Sequence, residues 1–217
     1  MTADWIRRVH RVYVINLADH AERMGQVRDT LSRLGVPDAK VVRVDAVRRR
    51  PGWQGCTLSH LKALRMAQRD LRQAPPGVDY ACIVEDDLML DVPAREANAQ
   101  VDRAFARVAQ ADAIYLAMSP QQLDDFDGRL KRVRCSLGGA GTIYHRDTLP
   151  RVEHLLDASR AAGVALDLYL AQQGFQARAK CFGFFPPIMV QRPGYSSIEE
   201  KNVDYGYIER DGAMLRS

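Results

Sequence analysis

Glu85, Asp86 and Asp87 are consecutive carboxylates, and they follow directly on the apolar run Tyr80-Ala81-Cys82-Ile83-Val84. Like charges packed together repel, and burying any of them is costly. A divalent cation resolves the conflict, because hard cations prefer carboxylate oxygens. A diphosphate held on the same metal supplies further oxygens, and the metal neutralises charge developing on a departing phosphate. The alternative is a solvated acidic turn at a strand end. The apolar run continues to its edge and a second one, Leu88-Met89-Leu90, follows. Both features favour a held site.

The elements that position this cluster follow from periodicity. Residues 12–17 (Val-Tyr-Val-Ile-Asn-Leu) form a β-branched and aromatic run ended by polar residues, as in a buried first strand. Across 21–34, Met24, Val27, Leu31 and Leu34 recur at helical spacing, and Gly35-Val36-Pro37 ends that helix. Residues 41–45 are a second strand, 48–52 a loop, 57–71 a second helix and 80–84 a third strand. Helices are expected over 97–108, 147–156 and 166–173. Strands are expected over 113–118, 139–144 and 177–185, with 119–134 an irregular insertion and the tail from Gln191 onward polar and loop-like. Strands alternating with helices imply βαβ units and a largely parallel sheet. One α/β domain is placed over the whole chain, 1–217, with its core at about 12–205. Ligands of such sheets bind outside the carboxyl ends of the strands. That rule brings Asn16 and Glu85-Asp86-Asp87 to one crevice.

Bulk properties narrow the function classes. The 217 residues are 47% hydrophobic and carry a formal net charge of +4, ordinary for a globular enzyme and too modest to imply nucleic acid. Only Arg48-Arg49-Arg50 is a basic run, and aromatics are not interleaved with it as a stacking platform requires. That run suits a solvated loop, or a peripheral contact with an anionic membrane or acidic acceptor. No stretch approaches the ~20 apolar residues of a transmembrane helix. The first residues show no apolar core with a cleavage site, and the four cysteines are scattered singly. A reduced, cytoplasmic protein is expected.

Several segments in order resemble the family 25 glycosyltransferases, whose bacterial members build lipopolysaccharide and whose animal relatives glycosylate collagen. They are Val14-Ile15-Asn16-Leu17 with Arg23, then Gly55-Cys56-Thr57-Leu58-Ser59-His60, then Ile83-Val84-Glu85-Asp86-Asp87, then Gly141-Thr142-Ile143-Tyr144 with an acid at Asp167. The resemblance spans about 12–205. It implies a GT-A fold, a UDP-sugar donor (often UDP-galactose) and Mn²⁺ or Mg²⁺. The chain departs from the family at Asp19, where Arg is common, and at Trp53, where Glu is frequent.

The resemblance assigns roles that stand beside simpler ones. Asn16 and the adjacent Leu17 would contact the uridine or ribose, or Asn16 would cap the next turn. Arg23 would hold the diphosphate, since a guanidinium fork fits phosphate oxygens, or be a solvated helix residue. Ser59 and His60 would sit in the first turn of the 57–71 helix, where backbone N–H groups favour anions, or simply pack there. A Ser-His nucleophile is not expected, because neighbours on a helix point about 100° apart. Asp86 and Asp87 are the expected metal ligands, with Glu85 beside them. Asp167 would be the general base or an acceptor anchor, or only a helix-start acid. The expected reaction moves a hexose to an acceptor glycan, peptide or small molecule by direct displacement, with inversion. A degenerate module that grips a glycan or polyanion without catalysis is the competing class.

Overall fold

The central strands are apolar on both sides because both faces of the sheet are covered. In β1 (Val9–Asn16) and β3 (Tyr80–Glu85), Val12, Val14, Tyr80, Cys82 and Val84 enter one core, while Tyr13, Ile15, Ala81 and Ile83 enter the other. Successive side chains of a strand point to opposite faces, so doubly covered strands are continuous apolar runs. In the computed structural model, which describes residues 3–196 and 201–211, these strands join β2 (Val41–Asp45), β5 (Ala113–Asp127), β6 (Leu130–His145) and β7 (Cys181–Phe184) in a six-stranded sheet of order β2-β1-β3-β6-β5-β7. Met1, Thr2 and the tail residues Ser197 and Ile198 lie outside the described residues. Only β6 runs against its neighbours, so the mostly parallel α/β architecture expected from the sequence is present.

Helices cover each face. α1 (Asp4–Arg8), α2 (Ala21–Arg33) and α4 (Ala94–Arg107) supply Trp5, Val27, Leu31, Val101 and Phe105 to the Val12 side. α3 (Gly52–Leu71), α5 (Leu149–Ala162) and α6 (Leu166–Gln172) supply Leu61, Leu64, Leu149, Val152 and Leu170 to the Tyr13 side. Truncating a buried Leu such as Leu31 or Leu64 to Ala would cost about 2–5 kcal/mol. α2 ends as its sequence requires. Gly35 adopts φ 79°, and the Val36 and Gly35 N–H groups donate to the Leu31 and Ser32 carbonyls in a Schellman cap.

Several expectations need correction. The tail read as loop-like holds the paired strands Gly194–Ser196 and Lys201–Val203 and the helix Tyr205–Asp211. The strand expected over 177–185 is confined to Cys181–Phe184, after the short helix Phe175–Arg178. The 119–134 segment is not irregular: it is the projecting half of the β5–β6 hairpin, turning at Gly128 and bulged at several points. Leu130 and Val133 of this ribbon are buried and Leu123 packs against the core, while charge pairs brace the rest. Lys131 donates to Asp125 directly opposite at 2.6 Å, and Arg134 donates to Asp124 at 2.6 Å. In addition, α3 begins at Gly52 and not at Thr57. Its early turns lie against the 46–50 loop so tightly that a Cβ on Gly55 would come within 2.4 Å of the Val47 carbonyl oxygen. That contact gives Gly55 of the sequence motif a steric reason.

Candidate active site

β1 and β3 run parallel, with Ile15 beside Glu85 and, on the other side of β1, Asn16 beside Asp45. Their carboxyl ends therefore open on the same side of the sheet. A cleft of about 410 Å³ lies there, lined among others by Leu17, Arg23, Ser59, His60, Glu85, Asp86 and Asp87. The early turns of α3 form one wall. β1 and α2 form a second, with Ile15 and Arg23, and the C-terminal segment forms the far wall, with Gln191, Arg192 and Tyr195.

The three carboxylates face different surroundings. Asp86, only 8% exposed, accepts a hydrogen bond from Asn16 Nδ2 at 2.7 Å, and Arg23 Nη1 stands 3.6 Å from its other oxygen. Burial raises the Asp86 pKa, opposed by these two partners. Asn16 is itself 1% exposed and fully engaged. Its Nδ2 also donates to the His20 carbonyl at 2.9 Å, and its Oδ1 accepts from Arg43 Nε at 2.9 Å. This pattern fixes the amide orientation. Asn16 therefore positions Asp86, and the direct nucleoside contact expected of it is not available to a side chain buried and bonded on both ends. Arg23 also donates to the Tyr195 carbonyl at 2.6 Å, tying α2 to the far wall.

Glu85 turns toward α3. His60 Nε2 lies 3.1 Å from Glu85 Oε1, and Cys56 Sγ lies 3.9 Å from the same oxygen. Cys56 and His60 are four residues apart on one helix face. Burial pushes the Cys56 thiol well above its ordinary pKa, and the charges of Glu85, Asp167 and Asp87 push it further. Ser59 accepts from the Val47 N–H at 2.8 Å and donates to the Gly55 carbonyl at 2.7 Å. It fastens the 46–50 loop to the helix. Because α3 starts earlier than expected, Ser59 and His60 are not at its N-terminus, and the anion-binding reason given for them above does not hold; their side chains still reach the cleft.

Asp87 belongs to a third environment. Its backbone carbonyl accepts from the Arg192 N–H at 2.7 Å, continuing the pairing of β4 (Leu88–Leu90) with β8 (Met189–Gln191). Its Oδ2 is 3.5 Å from Gln191 Nε2, and its buried Oδ1 has no hydrogen-bond partner among the described residues. Burial, then Glu85 and Asp86, raise its pKa to about 7. Behind it, beyond the short α7 (Phe175–Arg178), the C-terminal helix α8 (Tyr205–Asp211) supplies Glu209. Glu209 is 1% exposed, accepts from the Gln191 N–H at 2.9 Å and leaves Oε1 without a partner among the described residues. Burial pushes it up to about 8.

Asp167 does not line the cleft. Its Oδ2 accepts from the Gly138 N–H at 3.0 Å, and Gly138 sits at φ 67°, where Gly alone is unstrained. Its charge nonetheless reaches Cys56. Asp19, where the family favours Arg, forms a two-oxygen pair with Arg48 at 2.7 and 2.9 Å on the rim. Sequence alone gives Cys56, Arg43 and Glu209 no role in this site, while the stretch opened by Gln191 is a candidate lid or donor contact. Gln191 opens the tail read above as loop-like, and Cys56 lies within a quoted motif; nothing in sequence marks Glu209.

No family model matches the chain, and no curated protein does. Similar solved structures include A197 from STIV, with 13% identity over 90% of this chain and 93% of that one at a TM-score of 0.49. A glycosyltransferase involved in the glycosylation of the major capsid of PBCV-1 shares 9% identity over 92% and 98%, also at 0.49. A mannose-1-phosphate geranyltransferase from Thermus thermophilus shares 10% over 85% and 74%, at 0.46. At such identities and TM-scores, function has to be argued from the cleft itself.

One atom in this cleft suits a hard divalent cation. Asp87 Oδ1 is a buried carboxylate oxygen without a partner among the described residues, with two further carboxylates in sequence beside it. Asp86 is a weaker fit, because Asn16 and Arg23 already engage both its oxygens. Among the described residues, no helix is long and apolar enough to cross a membrane.

Proposed function

We propose that the chain is a GT-A-type glycosyltransferase that moves a hexosyl group from a UDP-sugar to an acceptor hydroxyl in the cleft at the ends of β1 and β3. The observation that carries this reading is the arrival in one cleft of Arg23, His60 and Glu85-Asp86-Asp87 from three separate segments, with an unpartnered buried oxygen on Asp87. Asp87 is the principal ligand for Mn²⁺ or Mg²⁺ in this proposal, with Asp86 held beside it by Asn16. Held by these residues, the cation would supply positive charge to offset that developing on the leaving UDP. Arg23, on the opposite side of Asp86, adds a guanidinium for phosphate oxygens. Direct attack by the acceptor oxygen inverts the anomeric centre and needs a base for its proton. Two acids are candidates: Asp167 and Glu85. Glu85 lines the cleft, with His60 fixing its orientation; Asp167 would have to reach past Gly138.

Calorimetry of UDP with Mn²⁺ and with chelator tests the metal bridge, and equal affinity in the two would remove it. A panel of UDP- and GDP-sugars with Mn²⁺, read by mass spectrometry for slow donor hydrolysis, tests the transferase reading and names the donor. No hydrolysis or transfer from any donor, by protein that binds none of them, would return the chain to the non-catalytic binding class.

A further inference from the structure

Cys56 and His60 stand on one face of α3, and Glu85 meets them from the end of β3. The three ligand atoms, Sγ, Nε2 and a carboxylate oxygen, lie within 4.8 Å of one another. Tetrahedral zinc has Zn–S near 2.3 Å and Zn–N and Zn–O near 2.0–2.2 Å, which puts its ligand–ligand edges at about 3.3–3.6 Å. The observed Nε2–Oε1 distance of 3.1 Å and Sγ–Oε1 distance of 3.9 Å bracket those edges. The third edge, Sγ to Nε2, is no longer than 4.8 Å, so side-chain rotation must draw the sulfur and the imidazole together as the cation binds. Helix and strand both hold their residues rigidly, as a preorganised site requires.

We propose that Cys56, His60 and Glu85 form a binding site for a thiophilic divalent cation, Zn²⁺, whose fourth coordination position opens into the cleft. All three residues line that cleft, so the open position takes a water or a substrate oxygen, the arrangement of catalytic rather than structural zinc sites. The surrounding charge favours it: Glu85, Asp87 and Asp167 are all within electrostatic reach of the sulfur. Binding displaces the thiol proton to solvent and leaves a thiolate–metal bond. The ligand set also separates this site from the all-oxygen one proposed at Asp87. Thiolate and imidazole select zinc, while carboxylates suit Mn²⁺ and Mg²⁺. The inference does not depend on the transferase reading, and a Glu85 held by zinc would not serve as that reaction's base.

Co²⁺ as a spectroscopic stand-in tests it on the full chain, reduced and stripped of metal. The expected result is a thiolate-to-cobalt charge-transfer band with intense tetrahedral d–d bands, abolished by Zn²⁺. Cys56→Ser removes the charge-transfer band, while Asp87→Asn keeps it despite losing Mn²⁺-dependent UDP binding. That contrast separates failure of this site from failure of the donor site. Folded parent protein without the band overturns the proposal, as does a band that survives Cys56→Ser. Should that variant fail to fold, the parent alone decides. Zn²⁺ must slow alkylation of Cys56, mapped by mass spectrometry after denaturing quench, and leave the half-buried Cys135 at its own rate. Equal rates for Cys56 with and without Zn²⁺ overturn it.

Discussion

The two walls beside the acidic triplet differ in how they treat charge. On the β1–α2 side, Asp86, Asn16, Arg23 and Arg43 form a closed network in which both Asp86 oxygens and both ends of the Asn16 amide are engaged. On the C-terminal side, Asp87 Oδ1, Glu209 Oε1 and Arg192 Nε are buried with no partner among the described residues. Buried polar atoms are nearly always bonded in folded proteins, and an unbonded one carries its full desolvation penalty. One wall is therefore preorganised scaffold, and the other is the side whose polar groups a ligand would complete.

Neutralising each neighbouring aspartate in turn is the strongest way to break that comparison. Asp87→Asn should weaken Mn²⁺-dependent UDP binding at least about 100-fold, the upper end of what removing a mere outer-shell partner costs. It should also raise the melting temperature of the metal-free protein, because a buried repulsive charge disappears. Asp86→Asn should shift stability less, because burial opposes the Asp86 charge while Asn16 and Arg23 support it. Calorimetry and thermal melting on both variants check this. Parent-like Mn²⁺–UDP binding by Asp87→Asn would make the triplet a simple acidic turn.

The pH dependence of stability sharpens the same contrast. Asp87 is raised from 3.8 to about 7 and Glu209 from 4.5 to about 8 in the folded chain, chiefly by burial. A carboxyl raised on folding binds its proton more tightly in the folded than in the unfolded state. Its contribution is full below the unfolded value and is lost as pH rises through the folded one. Metal-free protein should therefore lose stability, by a few kcal/mol, between about pH 4 and pH 8. Mn²⁺ should offset the part due to Asp87, so the melting difference between Mn²⁺ and chelator should widen as pH rises. A difference constant from about pH 5 to pH 9 would detach Asp87 from the metal.

The two walls also differ in how far sequence revealed them. The β1, α2, β2 and β3 pattern was legible because buried strands and amphipathic helices write their periods in apolar residues, and Gly35 marks a helix end by its backbone geometry. From there the rule about strand ends brought Asn16 to the acidic triplet. What it could not reveal was which atom each polar group meets. Asn16 looked like a ligand contact and is a positioning group, since a single Asn in sequence looks the same whether its amide faces a ligand or three protein partners. The far wall includes Glu209, a polar residue in a short C-terminal helix that holds the Gln191 N–H, and Gln191 reaches Asp87 only through long-range β4–β8 pairing. The β5–β6 ribbon is hidden in sequence because its inward residues, Leu123, Leu130 and Val133, are few and its bulges break the two-residue period.

Arg23 joins the two walls, since it faces Asp86 and donates to the Tyr195 carbonyl. Arg23→Gln should weaken UDP binding about tenfold or more, in keeping with about 1.5–3 kcal/mol for a hydrogen bond to a charged group. Mn²⁺ dependence should persist. Calorimetry that finds UDP affinity unchanged would confine Arg23 to bracing the Tyr195 segment.

The smallest effect is expected at Asp167, which stands apart from both walls. Its carboxylate accepts from the Gly138 N–H and sits in the first turn of α6. Asn can accept the same bond but gives up the favourable interaction of a negative charge with the helix N-terminus. Asp167→Asn should therefore cost less than about 1 kcal/mol in stability. A base, by contrast, is worth roughly 10²–10⁴-fold in kcat. Single-turnover transfer and thermal melting on one preparation distinguish the two. Near-parent turnover assigns Asp167 to holding the Gly138 corner of β6 and directs the search for the base to Glu85, where Glu85→Gln should then show the large loss. A fall in kcat of about 10²-fold or more with donor affinity intact would instead make Asp167 the base, and would require the Gly138 contact to open when the acceptor binds.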